Sequence, residues 1–313
     1  DDTVIENALH WLRESSASVK KPFVLAINFL APHFPHYTTP RLWEKYSQHA
    51  DLSKFGSDQP TAQHPRAKEV RDHFRVEEFS EEDQKGLRQG YYACIDYLDQ
   101  QLGRLRAALE TLGLRDSTNL FYASDHGEML GKFGMWWKCS LYEDSARIPI
   151  IAEGPDFSGG KTVTTPVNLL DLQAEFFAST GSARPKHMVG TPLSQILDND
   201  PSRVCFSEYQ GHGNSESSFM LRKGDWKLIY HINAPHQLFD LAVDPDELEN
   251  LYTSNPEKAA ELESELRLIC NPEYENQKTD LFVSEQLRRI ADEDLEFSLY
   301  NQEIGEKPSP SPA

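Results

Sequence analysis

The sequence predicts an α/β domain with a mostly parallel sheet flanked by helices, followed by a small antiparallel α+β subdomain. Three observations carry this expectation. Short, wholly apolar runs alternate with amphipathic helical stretches through roughly the first 180 residues, the pattern of strands buried on both faces. Beyond residue 200 the spacing tightens into short strands separated by turns. Apolar residues make up 38% of the 313, with 16 Phe, 12 Tyr and 5 Trp, enough to build a core rather than a disordered chain. The expected division is residues 1–198 and 199–313.

The elements follow in order. Thr3 is positioned to cap a helix over Val4–Ser15, with Glu6 as the capping-box partner and Ile5, Leu9 and Leu12 on one face. Phe23–Leu30 reads as a fully buried strand, stopped by the prolines of Ala31-Pro32-His33-Phe34-Pro35-His36. Residues 48–80 are polar and irregular and read as a surface insertion. Gly86–Leu112 carries the strongest helical period, through Cys94, Ile95, Leu98, Leu102, Leu105, Leu109 and Leu112, with Gly113 as its C′ residue. Leu120–Ala123 and Pro149–Ala152 are further strands, and Asn168–Ser179 is a second amphipathic helix. Arg203–Tyr209, Ser218–Arg222, Trp226–His231 and Gln237–Leu241 are the short strands of the second part, with a hairpin turn at Lys223-Gly224-Asp225. A charged helix at Asn255–Ile269 and a Pro-Ser tail at Pro308–Pro312, expected to be disordered, complete the chain.

A formal charge of −19, from 50 acidic and 31 basic residues, argues against a nucleic-acid partner. It leaves an anionic substrate open, because local charge in a cleft decides that. Cys94, Cys139, Cys205 and Cys270 show neither metal-site nor disulfide spacing and read as buried or free thiols. No apolar run approaches the ~20 residues that span a bilayer. The chain opens at Asp1-Asp2-Thr3 without Met, already in a helical pattern. We therefore expect a longer protein with its amino-terminal part missing here, and leave periplasmic, secreted and cytoplasmic locations all open. Homo-oligomerisation also stays open.

Chemistry concentrates at Asp125-His126-Gly127, directly after an apolar strand, where ligands of open α/β sheets sit. Asp offers a hard oxygen and His a nitrogen, both ordinary divalent-metal ligands, and Gly127 allows a sharp turn. Downstream stand Glu128-Met129-Leu130-Gly131, Trp136-Trp137-Lys138 and Glu143-Asp144-Ser145-Ala146-Arg147-Ile148-Pro149. Together these resemble the sulfatase family, whose members carry D-[NH]-G at a strand end, then a Lys, then E-x-x-x-R-[VI]-P. Phe29–Pro35 resembles the family's apolar strand ending in A-P-H-x-P. Tyr91–Asp99 is similar to the family's long helix, and Gln237–Glu247 to its L-[YF]-D-L-x-x-D-P-x-E signature. The blocks fall in family order over nearly the whole chain, and the spacing around Asp125 is closest to the branch of choline sulfatases and sulfated-sugar hydrolases.

The resemblance implies an alkaline-phosphatase-like fold and metal-dependent hydrolysis of a small-molecule or carbohydrate sulfate ester. It implies Asp125 and His126 as ligands of one divalent ion, Ca2+ in the first instance and Mn2+ as the alternative. His33 would contact the sulfate or its leaving oxygen, with His36 as a rival, and Lys138 would contact a sulfate oxygen. Glu208 and His212, on a Gly-punctuated loop, are candidates for binding the leaving group. Glu143 and Arg147 read as an i,i+4 ion pair, and Asp96 and Asp99 as solvated helix residues. The family nucleophile, a formylglycine made from C/S-x-P-S-R, has no match; Cys270-Asn271-Pro272 supplies only C-x-P. It is expected on the missing amino-terminal segment with the remaining metal ligands, so residues 1–313 alone are expected to be inactive. Phosphonate or phosphate ester hydrolysis is the neighbouring alternative, and a catalytically inactive binding protein is a third reading.

Overall fold

A computed structural model of the chain describes residues 1–157 and 159–303, the last ten of them by backbone alone. The Pro-Ser tail lies outside the described residues. Helix α1, Asp2–Glu14, buries Ile5, Ala8, Leu9 and Leu12, and packs this face on Leu105 and Leu109. Thr3 lies inside α1 rather than capping it. Asp1 occupies the N-cap position without a side-chain cap bond. Its carboxylate instead accepts the backbone N–H groups of Leu30 and Ala31, both at 2.9 Å. The short helix α2, Pro40–Lys45, follows, with Pro40 in the first turn and the Thr39 hydroxyl accepting Leu42 N–H.

Helix α3, Pro65–Phe74, corrects the expectation of a surface insertion. Ala67 and Val70 enter the main core with Met129, Phe133, Met135 and Leu141, and the buried Arg71 guanidinium donates to the carbonyls of Ala62 and Phe133. Two small apolar residues in a polar decapeptide are too sparse for the period to show. The long helix α4, Glu81–Thr111, starts five residues before the expected Gly86 because Ser80 and Asp83 form a reciprocal capping box. Gly113, at φ 66°, terminates it. Ile95 and Leu112 fall outside its buried face. Asp96 is not solvated: its carboxylate, 10% exposed, pairs with Lys45 and accepts the Tyr46 hydroxyl.

Strand β1, Leu120–Ala123, pairs antiparallel with β2, Ile150–Glu153. Among the described residues the expected parallel pairing is absent. The connection is long enough for a crossover, but it folds into the loop of residues 128–138 and the four-residue helix α5, Glu143–Ala146, and so lacks the covering helix a parallel return usually uses. Phe23–Leu30 runs without strand pairing. Ile27 and Phe29 pack on the α1–α4 cluster, while Val24 and Leu30 are exposed. Helix α6, Leu169–Thr180, is capped by Asn168 in a second capping box.

The second sheet matches expectation in type. Strands β3 (Val204–Tyr209), β4 (Ser218–Lys223), β5 (Trp226–His231) and β6 (Gln237–Asp240) form an antiparallel meander in that order. Leu221 opposes Leu228, which opposes Leu238. One face, through Phe219, Leu221, Leu228 and Leu238, packs on Ala259, Leu262 and Leu266 of helix α7, Pro256–Ile269. The other face, through Met220, Ile229 and Phe239, meets Met129, Phe133, Met135 and Tyr142. The sheet is thus the floor under the loop that follows β1. Each large side chain fully buried there, such as Phe133 or Phe239, contributes roughly 1.5–3 kcal/mol. Helix α8, Pro272–Glu303, ends the described chain. No helix among the described residues is long and apolar enough to cross a membrane.

Candidate active site

Strand β1 delivers Asp125 and His126 to its carboxyl end. His126 Nδ1 lies 2.9 Å from the Gly127 carbonyl; the N–H it donates there leaves the Nε2 lone pair free. That nitrogen stands 3.7 Å from Asp125 Oδ2, close enough for one cation to be shared between them. The donor set, one carboxylate and one neutral imidazole, suits a divalent ion. Asp125 is 81% exposed, so its carboxylate is available to a ligand. Among the described residues no third His, Cys, Asp or Glu joins them in a metal cluster.

Gly127 is required for a different reason than a turn. Its φ is not left-handed, but a Cβ there would sit 2.0 Å from the Asp144 carbonyl oxygen. The two backbones approach this closely because Gly127 N–H donates to Ser145 O and Glu128 N–H to Asp144 O, each at 2.7 Å. Gly127→Ala should therefore push the Asp125–His126 pair away from α5. Metal content and turnover of the complete protein are expected to fall together; a fully loaded, fully active alanine variant would refute this account.

From Glu128 the chain loops back to Lys138. Met129 N–H donates to Trp137 O at 2.7 Å and Gly131 N–H to Met135 O at 2.8 Å. Glu128 Oε1 accepts the N–H of Trp137 at 2.6 Å and of Leu130 at 3.2 Å. Burial pushes the Glu128 carboxyl up to about 7, against the pull of those N–H groups and the charge of Lys138. The loop sets Lys138 Nζ 2.5 Å from His33 Nε2 and 5.0 Å above the Phe34 ring. His33 Nδ1 in turn lies 2.6 Å from the Phe34 carbonyl, which fixes Nε2 as the acceptor facing Lys138. The His33 and His126 rings are 6.1 Å apart. The structure thus brings His33, Lys138, Asp125 and His126 to one place: an ammonium, two imidazoles and a carboxylate.

His36 is set back from them, packed between Tyr91 and Trp137, where burial lowers its pKa. His212 packs with His73 and Phe74, its Nε2 3.6 Å from Sγ of Cys139, the residue after Lys138. Glu208 does not join them. It is exposed, and the charges acting on it are Glu275 and Lys278 of α8, because its position in β3 alternates away from the loop. Glu143 and Arg147 are not an ion pair. Glu143 binds Lys227 at 2.9 Å and Arg222 at 3.3 Å, since α5 turns its acid toward the second sheet. The sequence also gave no warning of Lys132, buried and paired with Asp144 at 2.6 Å and Asp246 at 3.4 Å. The signal available was the acidic D-P-x-E signature, whose carboxylates need cationic partners.

The sulfatase family model matches residues 1–182. The chain belongs to the sulfatase family. A second family model, the carboxy-terminal region of N-sulphoglucosamine sulphohydrolase, matches residues 131–271. Arylsulfatase K of Bos taurus is 30% identical over 298 residues, covering 85% of this chain and 54% of that protein. Choline-sulfatase of Rhizobium meliloti (strain 1021) is 30% identical over 251 residues, covering 78% and 49%. The chain therefore spans about half the length of the curated sulfatases it matches. A protein solved in complex with its substrate, D-glucosamine-2-N,6-O-disulfate, superposes with a TM-score of 0.73 at 20% identity, over 89% of this chain and 69% of that one. The phosphonate monoester hydrolase of Silicibacter pomeroyi gives 0.70 at 23%, over 85% and 58%. These last two likenesses show the sulfatase α/β fold.

Proposed function

We propose that the complete protein hydrolyses a sulfate ester of a small molecule or carbohydrate. The observation that carries this is the Lys138–His33 contact at 2.5 Å beside the Asp125–His126 pair. Lys138 places a fixed positive charge where oxygen charge builds up. His33, its tautomer set by Phe34 O, presents the Nε2 lone pair to Lys138, so the proton that serves a departing alkoxide is the one shared between Lys138 Nζ and His33 Nε2. Asp125 and His126 would hold a divalent cation, Ca2+ in this reading with Mn2+ the alternative; when bound it polarises the ester oxygens. The nucleophile and the remaining metal donors come from residues outside 1–313. Sugar and choline relatives support the substrate class.

The test is Asp125→Ala in the complete protein. Metal content and turnover are expected to be lost together, and full metal occupancy in that variant would remove Asp125 from the site. Phosphonate ester hydrolysis remains the second reading, because a His in the metal pair suits Mn2+-like ions and the fold is shared with a phosphonate monoester hydrolase. Rates on an aryl sulfate and an aryl phosphonate separate the two, and turnover of neither would favour an inactive binding protein.

A further inference from the structure

We propose that Glu128 is the positioning residue for Lys138, acting through the backbone of the loop rather than on the substrate; this rests on the sulfatase reading above. From the sequence, Glu128 is given no role of its own; roles are assigned only to the residues at either end of the loop. The loop between them is conformationally expensive. Leu130, Phe133, Trp137 and Cys139 all adopt positive φ, at 46°, 57°, 67° and 73°. Non-glycine residues hold that conformation only where the surroundings over-determine it.

Glu128 supplies that determination at the decisive point. A single oxygen, Oε1, takes the N–H of Leu130 at the loop's beginning and of Trp137 at its end. Trp137 is the residue before Lys138, and its N–H is oriented by this bond while its carbonyl is held by Met129 N–H. The carboxylate therefore clamps both strands of the loop one residue away from the ammonium that meets His33. Two bonds to N–H groups need only an acceptor oxygen, so glutamine can keep the clamp and alanine cannot.

The experiment compares wild type, Glu128→Gln and Glu128→Ala in the complete protein. Turnover of an activated aryl sulfate is measured, together with amide hydrogen exchange across residues 129–138. Alanine is expected to lower kcat by about 10²-fold, the scale of a small misplacement of a catalytic group, with KM little changed and the Trp137 amide deprotected. Glutamine is expected to restore most of kcat and all of the protection. Glutamine as impaired as alanine with the loop still protected would mean that the carboxylate itself does chemistry, and would overturn the proposal. Unchanged exchange in the alanine variant would overturn it too. If wild type turns over neither sulfate nor phosphonate, the functional reading fails, while the exchange comparison still decides whether Glu128 sets the loop.

Discussion

Lys138→Ala in the complete protein is expected to lower turnover about a hundredfold or more, the effect of removing one preorganised charge or donor from a reacting centre. The side chain has little structural work to do. Its polar contact is with His33 Nε2, another member of the site, and the loop around it is fixed by backbone bonds and by the burial of Phe133, Met135 and Trp136. Folding should survive, with a thermal midpoint close to that of wild type. Lys138→Arg should not restore the rate, because a planar fork cannot replace a compact ammonium set directly against an imidazole. Loss of stability with turnover intact would contradict the assignment and return Lys138 to a packing role.

Glu247→Ala is expected to cost about 3–5 kcal/mol, the range for removing one partner from a buried ion pair. Lys227 and Glu247 both have side chains 0% exposed and stand 2.7 Å apart. Glu247 also accepts Glu143 N–H at 2.7 Å. Burial pushes the Glu247 carboxyl up, with Lys227 opposing. Burial acts the same way on Glu143, but there Lys227 and Arg222 prevail and hold the carboxyl below its usual value. Removing Glu247 leaves the buried Lys227 ammonium with Glu143 alone. Urea unfolding should show a lower midpoint with the slope unchanged. Lys227→Met combined with Glu247→Leu should recover much of the loss, since apolar replacement of a buried pair is often neutral or better. If Glu247→Ala alone leaves the midpoint in place, the pair contributes nothing to stability and this account of Glu247 is wrong.

The legible parts of the fold were those where local chemistry and tertiary packing agree. β3–β6 alternate cleanly around a glycine hairpin at φ 55°, and α4 and α6 show a helical period. Lys227 breaks that agreement. It lies in β5 facing the core, and nothing local announces a lysine that will be neutralised by Glu143 and Glu247. Phe23–Leu30 reads as a strand from its composition, yet a ladder needs a partner that no single segment can specify. α3 was missed because two arginines, Arg66 and Arg71, are buried among its core residues. The candidate site residues were picked out only through motif resemblance. His33 and Lys138 are 105 positions apart, and neither has a local pattern that sets it apart from a surface residue. Glu208 misled because a loop acid beside glycines has the right type while strand alternation turns it away.

The ties between the loop and the second sheet also set an order in time. Lys132 reaches 114 positions ahead to Asp246, Glu143 reaches 104 ahead to Glu247, and the Thr61 hydroxyl reaches 186 ahead to the Glu247 carbonyl. During synthesis at ~5–20 residues per second, the ribosome needs on the order of ten seconds to travel from Lys132 to Asp246. For almost all of that interval the nascent chain carries Asp125, His126 and Lys138 without the complete sheet on which they rest. Termination between Lys138 and Asp246 would release a chain that holds Asp125, His126 and Lys138 but lacks the partners of Lys132 and Glu143.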